Sequence, residues 1–234
     1  MRAGLQVFNE LNTIQIDDRF SSYTLSEKVT LTSSRILGSS NSYDGILYTV
    51  VGLDTVVAVQ CKTGSTLTRL QTMTSGSWRI GIATQGRGQT VTLFLFRPGI
   101  QMQSTEGLQV FNDDGELVFD ANANNLSGER LIDLKVGQPG QTYPLTPGRE
   151  YAVIYSQWGG RITTIWGPGG GGPAAWEGFI FRYGPVVVPS TGAISVSAVL
   201  RYAQISMFSN GARPPDGDAY YLGGPILVAD VTGL

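Results

Sequence analysis

Apolar and polar residues alternate in short runs along most of the chain, and breaks rich in Gly, Pro and Asn separate the runs. Successive side chains of a β-strand point to opposite faces of a sheet, so this period of two predicts half-buried strands. The short breaks predict antiparallel strands joined by tight hairpins, and therefore an all-β fold. The clearest runs are 45–51, 78–84 and 90–98 in the first half and 149–157, 176–184 and 193–202 in the second.

The sequence GLQVFN occurs twice, at 4–9 and at 107–112, and the similarity continues without a gap to Asp17 and Asp120. Duplication explains a six-residue identity better than chance does. The apolar positions keep a period of two on both sides of a polar break, which predicts a hairpin with one buried face. They are Leu5, Val7, Ile14 and Ile16 in the first copy and Leu108, Val110, Leu117 and Phe119 in the second.

The polar break is a candidate hairpin turn in both copies. Residues 9–12 read Asn-Glu-Leu-Asn and residues 112–115 read Asn-Asp-Asp-Gly. Short hairpin loops often close with a residue at positive φ, where Gly costs least and Asn is next best. Asn12 and Gly115 occupy the same column, so both are predicted to be structural turn residues.

The halves also share later strand-like runs, and we match 45–51 with 149–157, 78–84 with 176–184, and 90–98 with 193–202. These matches predict two related β-sandwich-like modules in tandem, residues 1–103 and 104–234. Gly and Pro in 137–150 and 167–176 predict loops that lengthen the second module. For the Gly run, a passive connection is favoured over a tip that contacts a partner.

Composition narrows the function classes. The 234 residues carry a net charge of −2 and only 15% are charged, so no basic surface for nucleic acid is expected. Cys61 is the single cysteine, so no intrachain disulfide can form. No stretch has the pattern of a cleaved signal or of a membrane-spanning helix, and the chain is expected to be soluble.

The chain contains no histidine, which removes the most common general base and metal ligand. Asp113, Asp114, Glu116 and Asp120 form the densest acidic group, and their place beside a hairpin turn favours local backbone hydrogen bonding. A calcium site and a catalytic carboxylate pair are the less favoured interpretations. We therefore expect no enzyme activity, no cofactor and no metal site.

Aromatic residues supply the remaining candidate contacts. Flat rings can stack on sugars, although packing in a core or an interface is the more common role of such residues. The candidates for glycan or partner contacts are Trp158, Trp166, Trp176, Tyr220 and Tyr221.

The start of each copy resembles the opening of minor tail proteins of long-tailed bacteriophages, small β proteins associated with the tail tip. The matching residues are Gly4, Leu5, Val7, Phe8, Asn9, Ile14, Ile16 and Asp17, and Gly107, Leu108, Val110, Phe111, Asn112, Leu117, Phe119 and Asp120. The resemblance implies a non-enzymatic virion protein of the tail tip or baseplate. The expected partners are other tail proteins and copies of itself, with assembly in the bacterial host cytoplasm. A carbohydrate- or host-receptor-binding module that uses the aromatics is the alternative.

Overall fold

The computed structural model describes most of the chain, and its secondary structure is entirely β. The described residues are 6–8, 14–17, 22–37, 42–73, 76–99, 106–132, 141–156, 160–168, 175–190, 193–210, 217–221 and 225–234. Among them no residue is helical, and every strand pairing is antiparallel. The predicted all-β class is confirmed.

The strands are numbered in chain order. In the first half they are β1 Gln6–Phe8, β2 Ile14–Asp17, β3 Tyr23–Thr32, β4 Ser34–Leu37, β5 Ser42–Val51, β6 Val56–Gln60, β7 Ser65–Thr72, β8 Ser77–Thr84 and β9 Thr90–Pro98. In the second half they are β10 Gln109–Phe111, β11 Leu117–Asp120, β12 Ser127–Ile132, β13 Gln141–Pro144, β14 Tyr151–Tyr155, β15 Gly160–Pro168, β16 Ala175–Ser190, β17 Ala193–Asn210, β18 Gly217–Tyr221 and β19 Ile226–Asp230.

Two large sheets face each other as a β-sandwich. The six-stranded sheet has the order β12-β19-β14-β6-β9-β3. The nine-stranded sheet has the order β13-β17-β16-β7-β8-β5-β4, with β15 joined to β16 and β18 joined to β15. β1 with β2 and β10 with β11 form two separate hairpins.

The strand order of each large sheet reads symmetrically outward from its centre. In the six-stranded sheet, β6-β9-β3 on one side mirrors β14-β19-β12 on the other. In the nine-stranded sheet, β7-β8-β5 mirrors β16-β17-β13. The halves join where Ala58 pairs with Ile154 and Ser65 with Val187. Both large sheets contain strands from before and from after residues 99–106. The division into two modules at 1–103 and 104–234 therefore stays a prediction.

Irregularities in the edge strands also correspond between the halves. Pairing of β3 shifts by one residue between Leu25 and Glu27, and that of β12 shifts between Gly128 and Arg130. The bulged residues are Ser26 and Glu129. Their separation along the chain equals that of Gln6 and Gln109, which are equivalent residues of the two copies of the repeat. A bulge leaves one residue of the ladder unpaired. Its recurrence at the same position in both halves indicates that it is a feature of the fold.

The apolar residues between the sheets form two separate clusters. The buried members of one come from the first half, and Val59, Ile82 and Leu93 are almost completely buried in it, while Tyr155 of the second half packs against both clusters. The other comes wholly from the second half and contains Ile194 and Val228. On the other face of the six-stranded sheet a third cluster draws on both halves. Its buried members are Ala58, Phe94, Phe96, Ala152, Ala229 and Val231.

The predicted strand matches between the halves are wrong, although each run does contain a strand. Residues 45–51 lie in β5 of the nine-stranded sheet, whereas 149–157 contain β14 of the six-stranded sheet. The match of 90–98 with 193–202 likewise joins strands of different sheets, and 78–84 corresponds by position to β17, not to 176–184. Alternation identifies a strand but does not say which sheet it enters.

The second half is longer because it contains strands as well as loops. β15 and β18 have no counterpart in the first half, and they extend the nine-stranded sheet alongside the long hairpin of β16 and β17. Within the predicted loop 137–150, residues Gln141–Pro144 form β13. Both ends of the predicted loop 167–176 also belong to strands.

Candidate functional site

The two copies of the repeated sequence form hairpins with the same pairing register. In the second copy Gln109 pairs with Asp120 and Phe111 with Leu117. In the first, Gln6 pairs with Asp17 and Phe8 with Ile14. In both, the register shifts by one residue immediately before the Phe. The predicted hairpins are therefore confirmed, and both contain the same bulge.

The turn of the second hairpin has the predicted chemistry. The Asn112 side-chain oxygen accepts hydrogen bonds from the backbone N–H groups of Asp114 and Glu116, at 3.1 and 2.8 Å. The Gly115 N–H donates to the Asn112 carbonyl at 3.0 Å, and Gly115 has φ +79°. Asn12, the predicted equivalent in the first hairpin, lies outside the described residues.

We expect Gly115→Val to destabilise the protein by about 1–2 kcal/mol, because a β-branched residue is strained at positive φ. No atom lies within 4 Å of the position a Cβ would take, so a clash adds nothing to this cost. Chemical denaturation measures the change. Gly115→Asn is the control and should cost clearly less, because Asn tolerates this conformation. Equal losses in the two variants would mean that φ is not the cause.

The acidic residues of the second hairpin divide into two groups. Asp113, Asp114 and Glu116 are exposed on the turn, whereas Asp120 is completely buried. The Asp120 carboxyl accepts a hydrogen bond from the Gln109 side-chain amide at 3.0 Å and one from the Asn122 N–H at 2.8 Å. Within the described residues no group of three or more His, Cys, Asp or Glu is placed to hold a metal ion.

Asp120 also fixes the segment that follows the hairpin. Its backbone carbonyl accepts from the Asn125 side chain at 2.8 Å and from the Ala123 N–H at 3.2 Å. The resulting turn places 124–126 against the start of β3. There Leu25 N–H donates to the Asn124 carbonyl at 2.8 Å and Leu126 N–H to the Tyr23 carbonyl at 2.7 Å. The second hairpin is thus anchored on the first half of the chain.

The prediction of one buried face for the hairpin is only partly right. Val110 is buried as expected, but Leu108 is 47% exposed. Val118 and Asp120, at alternate positions of the opposite face, are buried as well. The burial is tertiary: Ser22, just before β3, donates its N–H to the Val118 carbonyl, so the start of β3 lies beside β11.

Leu108 and Phe111 are the exposed large apolar residues of this hairpin, and Phe111 is 52% exposed. They are three positions apart, so alternation along the strand directs them to opposite faces of the hairpin. The same segment carries four exposed carboxylates, Glu106 and the three of the turn, and residues 106–120 contain no basic residue. Sequence reasoning missed both the exposed pair and the anchoring role of Asp120. In both copies the hairpin ends on a paired Gln and Asp. This repetition was the sequence signal for the anchoring role of Asp120.

The predicted aromatic contacts lie mainly on the extension of the nine-stranded sheet. Trp158 is outside the described residues. Trp166 pairs in register with Gly178, Trp176 with Pro168, Tyr220 with Arg161 and Tyr221 with Gly160. For these four the structure describes the backbone alone. They occupy three adjacent strands, β18, β15 and β16.

A cleft of about 260 Å³ lies between the turn that follows the second hairpin, the start of β3 and the end of β9. Its lining includes Thr24, Ser26, Arg97, Asn122 and Asn124, and no carboxylate or cysteine. The Arg97 guanidinium already donates to the Thr55 hydroxyl at 3.3 Å and to the Val51 carbonyl at 3.2 Å. Among the described residues that line it, the cleft offers hydrogen-bonding groups, and its hydroxyls have no carboxylate beside them to act as a general base.

No family model matches the chain, and no match was found among curated proteins or among solved structures. The described part of the chain also contains no helix with the length and apolar character needed to cross a membrane.

Proposed function

We propose that this chain is a non-enzymatic structural protein of a phage tail tip or baseplate, and that its two hairpins are its contact elements. The observation that supports this role is the repeated GLQVFN hairpin, whose sequence carries the resemblance and whose Leu108 and Phe111 are about half exposed. In this role the protein assembles in the bacterial cytoplasm, with itself and with neighbouring tail proteins.

Each of these two exposed side chains suits a protein contact. Complete burial of a Leu or Phe side chain is worth roughly 1.5–3 kcal/mol, and about half of each side chain remains available for a partner. Aromatic and aliphatic side chains at the centre of an interface carry most of its binding energy. The carboxylates of the same segment favour a partner whose apolar recess has a basic rim.

The edges of the six-stranded sheet are poor alternatives for docking. β3 carries a bulge beside the exposed Glu27 and Lys28, and β12 carries one beside the exposed Glu129 and Arg130. Bulges and charged side chains are the devices that stop edge strands from pairing with other chains. Contacts in this region therefore depend on side chains of the hairpins.

The test is incorporation of variants into tails in a phage lacking its own copy of the gene. We expect the Leu108→Ser, Phe111→Ser double variant to be incorporated at least about tenfold less than wild type, because an interface loses its apolar centre. Leu53→Ser, which changes a 65% exposed residue elsewhere, is the matched control and should be incorporated normally.

Thermal unfolding of both variants checks that the fold is unchanged. A wild-type protein that never enters particles would exclude the tail role. Normal incorporation of the double variant would show that the hairpin is not the contact.

A carbohydrate- or host-receptor-binding module is the second candidate, favoured by the aromatic positions on β18, β15 and β16. Aromatic residues on adjacent strands can form a platform for sugar rings. Trp166→Ala and Trp176→Ala should then abolish binding to host surface polysaccharide without loss of the fold. Absence of any wild-type affinity for that polysaccharide would remove this candidate.

A further inference from the structure

The chain contains three steps from Asp to Gly, namely Asp44–Gly45, Asp114–Gly115 and Asp216–Gly217. Gly has no side chain to shield its backbone nitrogen, so this nitrogen can reach the side-chain carboxyl carbon of the preceding Asp more easily than that of any other residue. Asp216 lies outside the described residues. The other two steps are described, and their surroundings are opposite in character.

Asp114–Gly115 lies at the exposed tip of the second hairpin. No atom lies within 4 Å of the position a Cβ of Gly115 would take, and within the described part of the chain the Asp114 carboxylate makes no hydrogen bond or ion pair. The Gly115 N–H donates to the Asn112 carbonyl at 3.0 Å. β10 and β11 form a sheet of only two strands, which has little stability of its own, so this bond at its tip opens at a low cost in free energy.

Asp44–Gly45 lies inside a sheet and is held on every side. Gly45 is buried in β5, which pairs with β4 on one side and with β8 on the other. A Cβ on Gly45 would lie 2.0 Å from the Ile82 carbonyl oxygen. The Asp44 carboxylate accepts from the guanidinium groups of Arg35 and Arg87 at 3.5 and 3.2 Å. Ring closure at this step requires the backbone to leave its extended conformation, so the strands have to separate first.

We propose that Asp114–Gly115 is a site of spontaneous isoaspartate formation in the folded protein. The Gly115 nitrogen attacks the Cγ of the protonated Asp114 carboxyl, an N–Cγ bond forms, the Cγ–OH bond breaks, and the hydroxyl leaves with the nitrogen's proton as water. Water then adds to the backbone carbonyl carbon of Asp114 in this succinimide and breaks its bond to the Gly115 nitrogen. The product has the original mass and charge, but its backbone runs through Cβ and Cγ.

The rearrangement changes the turn because it adds one carbon to the backbone between Asp114 and Gly115. The turn is closed by the Gly115 N–H on the Asn112 carbonyl and by the Glu116 N–H on the Asn112 side-chain oxygen, at 3.0 and 2.8 Å. A longer backbone cannot keep both bonds, so the turn opens. Residues 11–12 of the first copy read Leu-Asn, so ageing alters this turn in one of the two hairpins. The inference depends on the chemistry of the turn and not on the tail role.

Incubation of the folded full-length protein in water enriched in heavy oxygen tests the site, because each passage through the succinimide takes one oxygen atom from the solvent. Mass spectrometry of the peptide that contains Asp114 measures the uptake, and methylation by an L-isoaspartyl methyltransferase identifies the product. We expect uptake at Asp114 to be at least about tenfold faster than at Asp44, because opening a turn costs much less than separating a central strand. In denaturant the two rates should agree within about twofold, because neither step is then held by structure.

Two variants separate this reaction from other routes of oxygen uptake. Asp114→Glu keeps the carboxylate and the turn but would need a six-membered ring, so uptake in this peptide should fall at least about tenfold. Asp114→Asn forms the same succinimide with loss of ammonia. It should react faster than wild type, because a carboxylate is ionised at neutral pH and resists attack, whereas an amide is neutral. Thermal unfolding checks that both variants are folded.

Folded protein that takes up no oxygen at Asp114, over a time in which the denatured chain reacts at both steps, overturns the proposal. Equal rates at Asp114 and Asp44 in the folded protein also overturn it, as does uptake that persists in Asp114→Glu. Incorporation into tails is measured separately. A protein that reacts at Asp114 but never enters particles would leave this site in place while excluding the tail role.

Discussion

Replacing Asp120 with Ala should lower the free energy of unfolding by about 2–4 kcal/mol, because two hydrogen bonds to a fully buried carboxyl are lost. The loss also loosens the turn that holds 124–126 against β3. For a chain of this size, such a change lowers the melting temperature by roughly 4–16 °C. Chemical and thermal denaturation measure it directly.

Two further variants test whether the loss of stability comes from the buried Asp120 carboxyl or from removing any carboxylate of the hairpin. Asp113→Ala, on the exposed turn of the same hairpin, should change stability by no more than about 0.5 kcal/mol. Asp120→Asn should fall between the two, because one amide oxygen can still accept from Asn122. If Asp113→Ala proves as harmful as Asp120→Ala, the anchoring role assigned to Asp120 is wrong.

Phe94→Ala should cost about 3–5 kcal/mol, the range for removing a buried aromatic ring. Phe94 is 1% exposed and belongs to the cluster that contains residues of both halves. The Lys28 ammonium lies 5.2 Å from the ring centroid and loses that contact as well. Unfolding followed by intrinsic fluorescence and by circular dichroism gives the size of the loss.

The comparison variant is Phe111→Ala, which removes the same side chain from a half-exposed position. It should cost less than about 1 kcal/mol, since little buried area is lost. A similar cost for both substitutions would mean that Phe111 is buried in solution, and the hairpin would then no longer be a candidate contact surface.

The hairpins were predictable from sequence because every determinant is local. Alternation gives the strands, Asn112 and Gly115 give the turn, and the repetition in the first copy supports both. The exposure of Leu108 was not predictable, because it depends on which side of the hairpin the start of β3 covers. That contact joins residues about a hundred positions apart, and no local pattern encodes it.

Sheet membership was the larger failure, and its cause is physical. β14 reads Tyr-Ala-Val-Ile-Tyr, and its side chains pack into clusters on both faces of the six-stranded sheet, so matching it with β5 as an alternating strand was wrong. The long extension of β16 and β17 was likewise interpreted as separate shorter strands. The Gly and Pro residues near its ends indicated loops, but they do not show that β15 and β18 pair beside it.

The identical register of the two hairpins has a consequence for valency. In the tail role proposed above, each chain presents two hairpins of the same register, so a ring of n chains would present 2n hairpins to the next component. Two weak contacts on one body act together, because binding at the first raises the effective concentration of the second. Damage to either hairpin should therefore weaken attachment, and damage to both should weaken it further. Such a protein would suit a joint between rings whose subunit numbers differ by a factor of two.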